Sequence, residues 1–277
     1  MVRGSAKIVA LACFIVSLTI GRASANLGDA LPELGDLQRW SVFSHGILTT
    51  QDEFSGNAFV QGDVGVASVG DIALQDNATI NGDLYYRSNG TLTVAPGAHI
   101  TGAQIHDQDD LLDNESAAAF ATAHHAVKLR ANFFAPTNLQ LAGNRNFTVA
   151  GAPGATVVLK LGNFTLADSS SFTLQGTAST TFIINVTQQF ALSDNSKIVL
   201  SGGVQWSNVL FNICTKDSPV ILSGNASFTG MLMANRRTVQ MSGRAIVTGE
   251  IIANRVMLIK AGFNGNATVN HPPIVSP

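Results

Sequence analysis

One frame recurs along this chain, and it limits the possible folds more than any other feature. It reads apolar-x-apolar-x, then a turn of Asp, Gly or Pro with Asn, Gly or Ser and a small residue, then x-apolar-x. The copies are residues 72–82 (IALQDNATING), 92–102 (LTVAPGAHITG), 164–174 (FTLADSSSFTL), 190–200 (FALSDNSKIVL), 220–230 (VILSGNASFTG) and 239–249 (VQMSGRAIVTG). Alternation with a period of two puts the apolar residues on one face of a short strand. Asn, Gly and Asp at the centre accept the conformations that bend the chain sharply, so a second short strand resumes in the same sense. A single copy cannot bury its apolar face, whereas stacked copies make a continuous core. An ordinary sandwich would also show strand-turn-strand units, but not one frame six times with the turn at a fixed place.

Residues 109–132 (DDLLDNESAAAFATAHHAVKLRAN) break the pattern. They lack alternation and are rich in Ala, with Leu112, Ala119, Ala123 and Val127, and Phe120 beside them, on one helical face. Acidic residues gather near the start and Lys128 and Arg130 near the end, as the helix dipole prefers. Pro136 follows shortly after. The expected fold is therefore mainly β: a right-handed β-solenoid (β-helix) of short stacked coils with one long α-helix packed alongside. The helix, at about 109–132, would cover an apolar flank that otherwise invites aggregation.

The N-terminus bears on compartment. Arg3 and Lys7 precede an apolar run at residues 8–20, and Ala23-Ser24-Ala25 supplies a small-residue cleavage site. Residues 1–25 are expected to be a secretory signal peptide, residues 26–271 a single solenoid domain, and residues 272–277 a short tail. A lipid anchor on Cys13 is disfavoured, because Ala10 stands where such a site prefers Leu. The expected protein is secreted, to the extracellular space or cell surface, with no membrane insertion after cleavage. Loss of the signal would leave Cys214 without an internal partner. It follows the apolar run Val209-Leu210-Phe211 and reads as a small buried residue, with no local base to make it a nucleophile.

Charged residues are 12% of the chain and the formal net charge is −2, against about 25% charged in ordinary domains. This balance gives no electrostatic case for nucleic acid. The surface must be covered by hydroxyls and amides instead. His124-His125 are adjacent and so diverge on a helix, unlike an i, i+4 zinc pair, and His106 with Asp107, Asp109 and Asp110 reads as a solvated helix start. Gly62-Asp63, Gly70-Asp71 and Gly82-Asp83 lack calcium-repeat spacing and read as turns. The acids do not recur as adjacent pairs, so a carbohydrate-cleaving solenoid is not supported. No metal, no cofactor and no enzyme activity are expected. Glycosylation sequons occur at Asn77, Asn89, Asn114, Asn146, Asn163, Asn185, Asn225 and Asn266, as an Asn- and Thr-rich chain produces by chance.

A surface stands out instead. The outward position after the second apolar residue of the frame reads Asn81, Thr101, Thr173, Val199, Thr229 and Thr248. Inside the first strand the outward position includes Thr93 and Thr165, and Thr148 holds a like place in Phe147-Thr148-Val149. Stacking would turn these threonines into a flat array of hydroxyl and methyl groups. Thr is also favoured in strands on propensity alone, and chain order need not equal stacking order.

Three stretches carry a family resemblance: Leu34-Gly35-Asp36 to Phe43, Val60-Gln61-Gly62-Asp63-Val64-Gly65-Val66, and Ser223-Gly224-Asn225-Ala226-Ser227-Phe228-Thr229-Gly230 to Ile251-Ile252-Ala253. With the Ala-rich helix between them, their order resembles the secreted ice-binding family with a discontinuous β-solenoid and a long helix alongside. That resemblance implies a non-catalytic protein that adsorbs to ice by a flat face. It carries no residue over, since the family has no invariant motif there. Thr181-Phe182-Ile183-Ile184-Asn185-Val186 and Ser207-Asn208-Val209-Leu210-Phe211-Asn212 also resemble choice-of-anchor A bacterial surface proteins, which are described as adhesin-like. The alternative partner is accordingly an extended extracellular surface, polysaccharide or matrix.

Overall fold

The computed structural model describes residues 27–46, 51–68, 71–215, 218–260 and 266–274. The expected signal peptide, with Cys13 and its cleavage site, lies outside the described residues. So do Gly70 and the last residues of the tail.

The chain forms a β-solenoid whose rungs stack through parallel pairing at every level. Each rung has three sides. The frame itself is a corner: its first strand lies on one side, which we call the side face, and its second strand on the next, the front face. The third strand of each rung lies on a helix-covered face.

Front-face pairing gives the stacking order. Asn146–Ala150 pairs with Ser171–Gln175, which pairs with Lys197–Ser201. The stack continues through Ser227, Ile246 and Thr268–Asn270. It then passes to Phe59–Gln61, Thr79–Asn81 and His99–Ile100. Chain order and stacking order therefore differ. The strand Trp40–Ser44 enters at mid-stack, between Asp63–Val66 and residues 251–253. The chain winds from there to one end, returns to the other end, and closes on itself where Thr268–Asn270 meets Phe59–Gln61.

The return is made by the helices' longer member. A short helix α1 (Leu27–Ala30) and a 3-10 segment (Pro32–Arg39) precede the solenoid, and α2 (Asp109–Lys128) runs along it. Twenty residues of helix span ~30 Å, close to the ~38 Å covered by nine rungs at ~4.8 Å each.

The core follows from the alternation. Val60, Ile80, Phe172, Phe228, Val247 and Val269 point inward from the front face and are fully buried. Phe164 stacks on Phe190 at 5.2 Å, with Phe211 edge-on to both. Each such ring contributes roughly 1.5–3 kcal/mol by burial. A second apolar layer lies outside the coil, where Val158, Ile183, Leu210, Met231 and Ile252 meet α2 and the N-terminal segment.

Corners are stitched from rung to rung. Asp76, Asp168 and Asp194 hold left-handed backbone with φ of 54–58°. The Asp76 carboxylate accepts the Gly56 N–H at 2.9 Å, and that of Asp168 accepts the Gly143 N–H at 2.7 Å. Asp tolerates this conformation better than most side chains, and the extra bond offsets the strain.

Two expectations need correction. The helix ends at Lys128, not near 132, and Leu129 has left helical geometry. Asn132 is drafted as an added rung edge: its N–H donates to Val158 O, its Nδ2 to Thr156 O, and its Oδ1 accepts the Val158 N–H. The buried stripe of α2 is Leu112, Glu115, Ala119, Thr122 and Ala126, while Phe120, Ala123 and Val127 are half-buried at its edge.

Candidate functional site

The front face carries two outward columns, because both residues flanking each inward side chain point to solvent. The second column reads, in stacking order, Thr148, Thr173, Val199, Thr229, Thr248, Asn270, Gln61, Asn81 and Thr101. Thr148 pairs with Thr173, Thr173 with Val199, and Thr229 with Thr248. Asn270, Gln61 and Asn81 follow in register. Five of the seven candidate threonines therefore share one column. No charged residue interrupts it.

The other two do not join them. Thr165 and Thr93 lie on the side face, in the column Gln140, Thr165, Ala191, Ile221, Gln240, Met257, Glu53, Ala73, Thr93. Six unlike residues separate them, so the side face presents no threonine array. Thr148 was grouped with this strand from the sequence, and the register moves it to the front face beside Thr173.

Sequence reasoning overlooked the first front column, which reads Asn146, Ser171, Lys197, Ser227, Ile246, Thr268, Phe59, Thr79 and His99. The signal was present, since the frame's closing x-apolar-x has an outward residue on each side. The two columns stand ~6.7 Å apart along a strand and repeat every ~4.8 Å between strands. Together they make a rectangular lattice.

The middle of the lattice differs from its ends. Thr229 and Thr248 are half-exposed, and their hydroxyls have no partner among the described residues. At both ends the polar groups are tied to each other: Thr101 Oγ1 donates to Asn81 Oδ1 at 2.7 Å and Asn81 Nδ2 to Gln61 Oε1 at 2.9 Å, while Thr173 Oγ1 donates to Asn146 Oδ1 at 2.9 Å and Asn146 Nδ2 to Thr148 Oγ1 at 3.0 Å. Thr is stiff about χ1, so a row of them presents methyl and hydroxyl groups with little freedom left to lose.

Sites of other chemistry fare differently. Among the described residues no three His, Cys, Asp or Glu side chains come together as metal ligands. A half-open cavity of about 190 Å³ beside α2 is lined in part by His124 and Cys214. Burial pushes the Cys214 thiol up to about 11, which holds it protonated at neutral pH. Cys214 is half-buried rather than fully buried. No helix among the described residues is long and apolar enough to cross a membrane.

A sequence profile of the ice-binding-like adhesive domain matches residues 33–265, most of the chain. The chain belongs to the ice-binding-like adhesive domain family. Solved structures agree in fold. A glycosylated ice-binding protein from an Arctic yeast is 18% identical, with 92% of this chain and 97% of that one covered and a TM-score of 0.56. An ice-binding protein from the Antarctic ascomycete Antarctomyces psychrotrophicus is 19% identical, with 87% and 98% covered and a TM-score of 0.54. An ice-binding protein from an Antarctic Flavobacteriaceae bacterium is 17% identical, with 88% and 49% covered and a TM-score of 0.54. No curated protein matches the chain. The family thus accounts for the discontinuous solenoid and the helix beside it.

Proposed function

We propose that this ice-binding-like adhesive domain is a non-catalytic protein that works outside the cell and adsorbs to ice through its front face. The observation that carries the reading is the column Thr148, Thr173, Val199, Thr229, Thr248, held in register by parallel ladders. A surface that repeats at fixed intervals in two directions suits a partner that does the same. Ice is such a partner, and a dissolved small ligand is not. The methyl groups limit where water can sit and the hydroxyls give it hydrogen-bond partners, so water over the face is pre-ordered. Ice-binding solved structures of the same fold support the reading.

The free hydroxyls of Thr229 and Thr248 make the middle of the column the contacting part. Thermal hysteresis and recrystallisation inhibition of the mature chain test this. Thr229→Tyr and Thr248→Tyr should each lower activity by roughly tenfold, as loss of about 1.4 kcal/mol of contact would. Gln240→Tyr, on the side face of the same sheet, should leave it unchanged. A wild-type protein without either activity would sink the ice reading and leave adhesion to an extended polysaccharide or matrix surface.

A further inference from the structure

The two ends of the stack are finished differently. At the end that carries Leu139–Leu141 and Asn146–Ala150, the edge is guarded. Asn132 occupies the open edge beside Val158, and Phe133 and Ala135 pack against the core. Arg145 stands one place before the Asn146–Ser171 pair, opposite the buried Ser170, so a place that is small and inward in the next rung is exposed charge here. Charge and cover are the usual protections of a strand edge.

The opposite end, residues 91–105, has neither. It contains no Asp, Glu, Lys or Arg. Among the described residues its strands Thr91–Val94 and His99–Ile100 pair on one side only, with Asp71–Leu74 and with Thr79 and Ile80. Ala95 N–H donates back into the stack, to Leu74 O. Alternation along a parallel strand then turns the N–H and C=O of Leu92 and Val94 away from the stack. Leu92, Ala95 and Ile100 pack on the core yet are only half-buried, and Val94 is 39% exposed. Pro96 sits in the corner, outside both strands. On the third side His106 lies against Tyr86, and Asp107, Asp109 and Asp110 lead into α2, so the open edge is confined to the other two sides.

We propose that two copies of the chain join end to end through this rung, with Thr91–Val94 antiparallel to itself across a two-fold axis. The occupant follows from what the edge offers. A two-fold contact sets a surface against itself, which suits an edge that is free of charge and carries donors and acceptors in equal number. Centred on Thr93, the contact makes Leu92 a hydrogen-bonded pair with the second copy's Val94, each N–H donating to the facing carbonyl. Leu92 and Val94 continue the inward rows of the buried Ile72 and Leu74, so their side chains meet and the core runs on across the junction. A head-to-tail stack would instead bury Arg145 without a partner charge. The contact lies across the end of the coil and leaves the front faces of both copies open.

Sedimentation equilibrium of the mature chain over roughly 10 μM to 1 mM should show monomer and dimer in exchange. Val94→Lys sets an ammonium group against the second copy's Leu92 in each half of the junction and should weaken dimerisation by roughly tenfold or more. Gln140→Lys, at the guarded end, should leave it unchanged. Thr93 faces its own mate as a non-hydrogen-bonded pair, the closer kind in an antiparallel ladder. In a Cys214→Ser background, Thr93→Cys should therefore oxidise in air to a disulfide-linked dimer, and Gln140→Cys should not. A chain that stays monomeric throughout, or a dimer that Val94→Lys leaves intact, would overturn the proposal. If Val94→Lys does not fold, the cross-link decides, and Thr93→Cys linking no better than Gln140→Cys would overturn it.

Discussion

Val199 interrupts an otherwise threonine column between Thr173 and Thr229, and it differs from Thr by a methyl in place of the hydroxyl. Val199→Thr should extend the hydroxyl row to five consecutive rungs. Thermal hysteresis should rise, while stability changes by less than about 0.5 kcal/mol because the position is on the surface. Glycine at the end of the frame obeys a different rule. Gly249 has φ of +131°, and a Cβ there would stand 2.1 Å from Gly230 O in the next rung. Neither backbone nor neighbour can yield easily where rungs stack directly. Gly249→Ala should cost ~3 kcal/mol or more, read as a lower urea midpoint. The sequons also resolve at this scale. Asn77, Asn225 and Asn266 each hold a corner position, followed by a buried Ala and an outward Thr or Ser, so the frame itself writes Asn-x-Ser/Thr. Nδ2 of Asn77 and of Asn225 donates to Asn57 and Asn195 respectively.

Attachment of α2 is a matter of matched repeats. A helical turn rises ~5.4 Å and a rung ~4.8 Å, so successive rungs can address successive turns. Asn235, Asn212 and Asn185 donate to the carbonyls of Ala119, Ala123 and Ala126, at 2.6, 3.0 and 2.9 Å. Asn212 also donates to Asn185 Oδ1 at 2.8 Å. Asn212→Ala removes the middle of the ladder and leaves that oxygen short of a donor, which should cost ~1–3 kcal/mol. Native-state hydrogen exchange should show α2 amides losing protection before the core strands do. The strands were legible in sequence because their apolar positions alternate without exception in the six copies. Residues 52–62 (DEFSGNAFVQG) are a seventh that escaped, because Asp52 fills an inward place where Ile72 stands in the next rung. The helix was legible as a helix, but its buried stripe was not. Glu115 and Thr122 are polar, so an apolar pattern does not include them, yet both are buried.

Stacking order is a property of the whole molecule, and no single frame copy contains it. The frame shows that Thr101 and Thr248 hold equivalent places, yet it cannot show that residues 268–270 and 59–81 separate them. The same closure gathers buried ionisable groups whose demands on pH conflict. His45 is buried beside Asn235, and burial lowers it to about 4. The unfolded chain takes up that proton near 6.5, so the His45 contribution to stability is present above 6.5 and lost as pH falls to 4. Asp52 is fully buried and raised to about 6, chiefly by burial, although Val256 N–H and Ser44 Oγ bond to it. Its contribution is complete below 3.8 and lost as pH rises through 6. Acidification therefore relieves Asp52 while it strains His45, and the wild-type protein shows only the difference. His45→Gln keeps a donor for Asn235 Oδ1 and removes the proton. The stability gap between variant and wild type should then grow in favour of the variant by ~3 kcal/mol as pH falls from 6.5 to 4. Urea midpoints at half-unit pH intervals would show this, and a gap independent of pH would mean that His45 is not neutral in the folded protein.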